Sequence, residues 1–201
     1  MFRRQKEESN TALFTTMLIF GLFGLLAAFV LTLDKFHLLE NPDATLACSI
    51  NLVLNCSAVM QTPQASVFGF PNMLIGLMAF PLVIMLAVAG LARVKFPRWF
   101  MIAANSGIAL GALFAYWLFF QSLYVIQVLC PWCLVVTFSM TMILATVTHY
   151  NLKQNNFRLS KSANKRAQLF LNKDFDKLLI ASWIVLLISL VILKFGQSLF
   201  A

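Results

Sequence analysis

Five stretches of this chain are apolar over about the 20 residues that a helix needs to cross a bilayer, and this limits the fold more than any other feature. They run from about Thr11 to Leu33, Phe70 to Leu91, Trp99 to Val125, Leu129 to His149, and Leu178 to Leu193. The composition agrees. Of 201 residues, 61% are hydrophobic and 11% charged, too few polar groups to cover a water-soluble globule. A soluble enzyme and a disordered chain are both excluded. The first stretch is read as a retained span and not a cleaved leader, because it is longer than a signal-peptide core and Thr32-Leu33-Asp34 is a poor cleavage site.

The charge pattern orients the spans. Net charge is +8. Arg3, Arg4 and Lys6 precede the first span, and Arg93, Lys95 and Arg98 lie between the second and third. Lys153, Arg158, Lys161, Lys165, Arg166, Lys173 and Lys177 lie between the fourth and fifth. Alternate connections therefore hold thirteen basic residues on one side, against Lys35 and Lys194 on the other. Basic loops stay in the cytoplasm, so the expected topology has the N-terminus inside and the C-terminus outside. It also accounts for the basic excess without nucleic acid as a partner. The polar 151–177 segment, with Asn155, Asn156 and Ser160, reads as a solvated basic linker. Residues 1–150 form the expected main domain and 178–201 a fifth helix.

All four cysteines then fall at the outer face, where disulfides persist. Cys48 and Cys56 lie in the 34–69 loop, and Cys130 and Cys133 lie where the fourth span enters. The loop begins with polar residues from Asp34 to Thr45, including Glu40 and Asp43. It continues as an apolar stretch from Ser49 to Met60, too short to span. Positions 52, 56, 59 and 60 share a helical face, which fits a short surface helix ended by Gln61-Thr62-Pro63. In one unbroken helix Cys48 and Cys56 would be about 12 Å apart, whereas a disulfide needs about 7 Å or less. If they pair, the chain between them must turn back. Gly69 and Pro71 bracket entry into the second span.

Cys130-Pro131-Trp132-Cys133 is the sharpest motif. Two cysteines three residues apart share a face at a helix start, where free N–H groups favour a thiolate. Pro131 is tolerated in a first turn, and Trp132 suits a membrane–water interface. Two other readings stand beside a redox pair: buried thiols packed as small hydrophobes, and a zinc site using all four cysteines. The latter lacks a second knuckle spacing and needs thiolates outside the cytosol; no metal is expected. Gly107, Ala109, Gly111, Ala112 and Ala115 in the third span read as close helix packing. His37 reads as a solvated loop residue and His149 as a cation at a helix C-terminus.

Taken together, Cys48-x7-Cys56-Ser57, then Phe68-Gly69-Phe70-Pro71-Asn72, then Cys130-Pro131-Trp132-Cys133 resemble the bacterial branch of the vitamin K epoxide reductase (VKOR) family over about residues 12–150. The disulfide-forming membrane enzyme DsbB does similar chemistry, but with its CxxC pair before its loop pair. The resemblance implies an all-α membrane protein: a four-helix transmembrane bundle enclosing a quinone, with a short surface helix in the first outer loop and a fifth helix appended. It further implies a quinone-dependent thiol oxidase that works by disulfide relay through Cys48, Cys56, Cys130 and Cys133. The acceptor would be ubiquinone or menaquinone in a bacterial inner membrane. The partner would be a separate DsbA-like thioredoxin-fold protein, since the chain given ends at Ala201. Thr62 stands where the family often has Ser or Thr near the quinone. Thr137 stands four residues after the CxxC, where vertebrate members carry Tyr, which favours a respiratory quinone over vitamin K epoxide. Asn72 is the third candidate quinone contact. The alternative from another class is a non-catalytic scaffold or transporter subunit with structural disulfides. A transporter would usually carry ionisable groups within its spans.

Overall fold

The computed structural model describes residues 2–42, 44–51 and 53–200, with the side chains of 2–9, 172 and 197–200 left aside. Among the described residues the chain is helical throughout its regular elements. They are α1 (Phe2–Glu40), α2 (Cys56–Met60), a 3-10 turn (Pro63–Ser66), α3 (Met73–Leu91), α4 (Arg98–Gln121), α5 (Pro131–Lys153), α6 (Lys161–Asn172) and α7 (Phe175–Phe200). Five stretches are long and apolar enough to cross a membrane: Asn10–Glu40, Met73–Leu91, Arg98–Ile126, Pro131–Lys153 and Phe175–Gly196. The chain is a membrane helical bundle.

In the bundle, α1 packs against both α3 and α5, and α4 against α5. Close approach of α1 and α3 depends on small residues. A Cβ added at Gly24 would stand 2.2 Å from the Phe80 ring, and one at Gly76 would stand 3.1 Å from the Ala28 Cβ. The central core gathers Phe14, Met17, Phe80, Met101, Ile143 and Val147. Asn151, fully buried, ties α5 to α4 by donating from Nδ2 to the Met101 carbonyl at 3.0 Å. α7 leans on the outside: only 6% of its most apolar stretch is buried in the chain. It is held by Trp183, whose Nε1 donates to the Tyr116 hydroxyl at 2.8 Å, and by Phe195, which packs with Val53, Phe119, Leu123 and Leu129.

The basic connections converge at one end of the bundle. Arg98 Nε donates to the Asn156 carbonyl, and the Phe14 ring lies 6.3 Å from Phe96 and 5.0 Å from Tyr150. The cysteines gather at the other end.

Several local expectations change. α1 continues to Glu40, so Asp34, Lys35 and His37 are helical, and His37 is an exposed residue of the last helical turn, not a loop residue. Leu31 and Leu38, seven positions apart, keep that turn on the core, and Asn41-Pro42 stops it because proline disfavours a helical residue before it. Within the Ser49–Met60 stretch the helix is confined to Cys56–Met60, and the turn that pairing of Cys48 with Cys56 requires precedes it. Asn51 takes the amides of Val53 and Leu54 on its side-chain oxygen and turns the chain, and Asn55 caps the helix through Ala58 N. Asp43 and Leu52, part of the expected polar segment and apolar face, lie outside the described residues.

The 151–177 segment is not wholly irregular, because it contains α6. Ser160 caps that helix by accepting from Ala163 N. His149 is met by Asp176 Oδ2 at 2.6 Å across the α5–α7 contact. Among the small residues of α4, Ala112 and Ala115 are buried, and a Cβ at Gly111 would press on Met140. A Cβ at Gly107 would meet nothing within 4 Å, so packing within the chain does not explain that glycine.

Candidate active site

Three local devices bring the four cysteines together. First, the chain turns back between Leu46 and Leu54. Ser49 N donates to the Leu46 carbonyl at 2.9 Å and Ile50 N to the Leu54 carbonyl at 2.8 Å. The side-chain oxygen of Asn55 accepts from the hydroxyls of Ser49 and Ser57, each at 2.9 Å. Cys48 and Cys56 end with their Cα atoms 5.7 Å apart and joined by a disulfide, within the range that such a bond requires.

Second, α4 widens into a π-helical turn over Ser122–Ile126 and ends at Gln127 with φ 56°, in the left-handed region. Ser122 Oγ donates to the Val128 carbonyl and holds the exit. Third, this exit lays Leu129 beside Leu54 as an isolated parallel bridge. Leu129 N donates to the Val53 carbonyl at 2.7 Å, and Asn55 N donates to the Leu129 carbonyl at 2.9 Å. Cys130 directly follows Leu129, and Cys56 directly follows Asn55, whose N–H makes the second of these bonds. Sequence reasoning missed this bridge, because two hydrogen bonds between irregular segments leave no periodic pattern.

Cys130 is the N-cap of α5 and Pro131 its first residue. Cys130 Sγ lies 3.5 Å from Cys56 Sγ and accepts from Cys133 N at 3.3 Å. A hydrogen bond from the Cys133 side chain lowers the Cys130 pKa from its ordinary value, helped by the backbone N–H groups of Cys133 and Trp132. Burial and the charge of Asp34 oppose that shift. Cys130 and Cys133 are both free thiols, Cys130 buried and Cys133 half-buried.

Cys133 opens into a cavity of about 180 Å³ enclosed by α1, α3, α4, α5 and the 59–65 segment. Its walls are mainly apolar, with Phe80, Phe114, Leu118, Phe119 and Met140 among them. The three sequence candidates Thr62, Asn72 and Thr137 all line it. Each has local partners as well. Thr62 Oγ1 donates to the Val59 carbonyl at 2.7 Å, and Thr137 Oγ1 to the Cys133 carbonyl at 2.9 Å. Asn72 donates from Nδ2 to the Gln64 carbonyl at 2.6 Å and accepts Val67 N at 3.1 Å, so it braces the 63–67 turn that walls the cavity. It stands at the N-cap position of α3 but makes no side-chain capping bond. Gly69, with φ +80°, supplies the left-handed residue that lets the chain re-enter the bundle.

A membrane helical bundle that holds a disulfide in contact with a second cysteine pair, itself open to an apolar cavity, defines a membrane thiol–disulfide oxidoreductase. The model of the Vitamin K epoxide reductase family matches residues 15–148, and the chain belongs to that family. Its members are thiol–disulfide oxidoreductases that use a quinone, and this chain is a quinone-linked enzyme of that kind. The reading as a non-catalytic scaffold is thereby set aside. Among the curated proteins, none matches the chain.

The cavity fits a quinone ring on its own terms. An apolar cavity of about 150 Å³ accepts benzene, and this one is larger. It has apolar walls with few polar groups, the usual character of a small-molecule site.

Proposed function

We propose that the chain oxidises a thioredoxin-fold, DsbA-like partner at the extracytoplasmic face of a bacterial inner membrane and passes the electrons to ubiquinone or menaquinone. One observation carries the reading: Cys130 Sγ lies 3.5 Å from Cys56 Sγ while Cys133, of the same pair, opens into the cavity. The orientation rests on the basic connections gathering at the end opposite the cysteines. Residues 1–150 form the redox unit, 151–177 connect it on the cytoplasmic side, and 178–201 supply the fifth helix.

The relay runs through sulfur alone. A partner thiolate attacks Cys48 in the loop disulfide and expels Cys56. The partner's second thiolate then releases Cys48 and leaves the partner oxidised. Cys56 attacks Cys130 of a Cys130–Cys133 disulfide, and Cys133 leaves as a thiolate facing the cavity. Cys48 attacks Cys56, which closes the loop disulfide and leaves two electrons on Cys130 and Cys133. The lowered Cys130 pKa helps this last step, because a more acidic thiol is the better leaving group. A closed loop disulfide beside free Cys130 and Cys133 matches the point reached once these steps are complete. A bound quinone supplies the acceptor that takes the two electrons and two protons and restores the Cys130–Cys133 disulfide. Thr62, Asn72 and Thr137 supply the polar atoms that orient the ring. Cys48 is only 7% exposed, so the turn carrying it swings outward to meet the partner.

Purified protein mixed with a short-chain quinone and a reduced thioredoxin-fold partner will form quinol. C133A will abolish quinol formation; an undiminished rate would refute the role given to Cys133.

A further inference from the structure

Each step of the relay requires a sulfur to give up or regain a proton, and the four sulfurs are not equally served. Cys130 has the Cys133 amide on its sulfur. Cys133 faces the cavity. Cys56 lies against Cys130 Sγ and 3.6 Å from the Cys48 carbonyl. Cys48 has a carboxylate: Asp34 Oδ2 stands 3.6 Å from its Sγ. Asp34 sits on the last outer turns of α1, half-buried. Among the described residues no N–H or O–H is bonded to it. Lys35, next along the chain, turns away and donates to the Met60 carbonyl at 2.9 Å. The groups that act on Asp34 are His37 on its own helix, and Cys48 and Cys130 from the elements facing it. A carboxylate withdrawn from water costs free energy unless it is paired. Of these groups, the Cys48 sulfur is the one within hydrogen-bond reach, and it must alternate between disulfide and thiol.

We propose that Asp34 is a catalytic residue, the general base and acid of Cys48. With Cys48 reduced, its S–H donates to the Asp34 carboxylate. The proton moves to Asp34 as Cys48 Sγ attacks Cys56 Sγ; the new Cys48–Cys56 bond forms, the Cys56–Cys130 bond breaks, and Cys130 leaves with the electron pair as a thiolate. In the partner half of the cycle the proton returns. The partner's second thiolate attacks its own sulfur in the mixed disulfide, Cys48 is expelled with the electron pair, and the Asp34 carboxyl protonates it. No oxidant or reductant beyond the relay itself is needed. The proposal rests on the relay reading of Cys48.

The test follows single-turnover quinol formation driven by the reduced partner, across about pH 6 to 9, for wild type, D34N, D34E and C48A. A positioned base contributes about a hundredfold or more, so D34N will be slower by about that factor at pH 7. The deficit will shrink as pH approaches about 8.5, where an unassisted thiol ionises by itself. D34E will keep most of the rate. In a C48A/C56A background, with dithiothreitol reducing the Cys130–Cys133 pair directly, adding D34N will produce no comparable deficit, because the thiol that Asp34 serves is gone. This also reports that the variant is folded. A D34N rate within about twofold of wild type at pH 7, a deficit that is the same at every pH, or a matching deficit in the dithiothreitol assay would each overturn the role of Asp34. Full partner-driven turnover by C48A would overturn the relay reading itself and the proposal with it.

Discussion

The Gly24–Phe80 contact sets both how closely two helices approach and how much room the cavity keeps. Phe80 is 2% exposed and lines the cavity, with the α1 backbone at Gly24 on one side of its ring and Gly76 of its own helix on another. In G24A the new Cβ would lie 2.2 Å from Phe80 Cε1 and Cζ and 2.7 Å from Cδ1, against the 3.4 Å at which ordinary contact begins. The ring or the helix must retreat by about an ångström. A Cβ built at Gly76 would already meet the far edge of the same ring at 3.5 Å, so the α3 backbone lies close behind it and the cavity that Phe80 lines offers the remaining room. Forcing an extra methyl into a packed interior costs about 1–3 kcal/mol. At about 2–4 °C per kcal/mol for a chain of this length, the melting temperature in detergent will fall by about 2–12 °C. The quinone KM will rise while the partner KM stays unchanged. F80L in the G24A background removes the clashing ring edge and will recover most of the stability. A G24A protein with wild-type melting temperature and quinone KM would refute the argument, because the two helices would then have slack that the geometry denies them.

Asn72 and Cys130 carry two further expectations. N72A removes both bonds that brace the 63–67 turn, each worth about 1 kcal/mol. The quinone KM will rise several-fold, and N72D, which keeps only the acceptor for Val67 N, will fall between N72A and wild type; equal KM values for all three would count against the brace. For reduced Cys130 the pKa is lower in the folded chain than in the unfolded chain, whose ordinary value is 9.0. Between the two values the unfolded chain holds more protons, so stability rises with pH. The contribution is complete above 9.0 and is lost as pH falls through the folded value. Melting curves of the reduced protein will show this rise and those of reduced C130S will lack it; identical slopes would remove the shift.

The spans were legible because a bilayer imposes a length and an apolarity that few residues can disguise, and the cysteine end was legible because thirteen basic residues crowd the other connections. The three cavity threonine and asparagine positions were legible through family resemblance, and their local bonds were not. What stayed hidden has short-range causes. Lys35 and His37 look like loop residues, yet Leu31 and Leu38 continue the buried face of α1 and carry the helix past them. Ser49 to Met60 has an apolar helical stripe, yet Asn51 and Asn55 offer side-chain oxygens to nearby amides and break it into a turn and a five-residue helix. Asp34 carries no motif at all; its meaning comes from Cys48, fourteen residues away.

The paired Leu54 and Leu129 segments give the enzyme an unusual kind of tolerance. Main-chain amides and carbonyls set the spacing of the electron-passing sulfurs, and those atoms are the same whatever side chains they carry. Positions 53, 54 and 129 can therefore exchange one apolar side chain for another of similar volume without detuning the gap, while Val53 and Leu129 keep their place in the buried cluster with Phe195 of the fifth helix. Proline at 55 or 129 would delete one of the two donors and break the register.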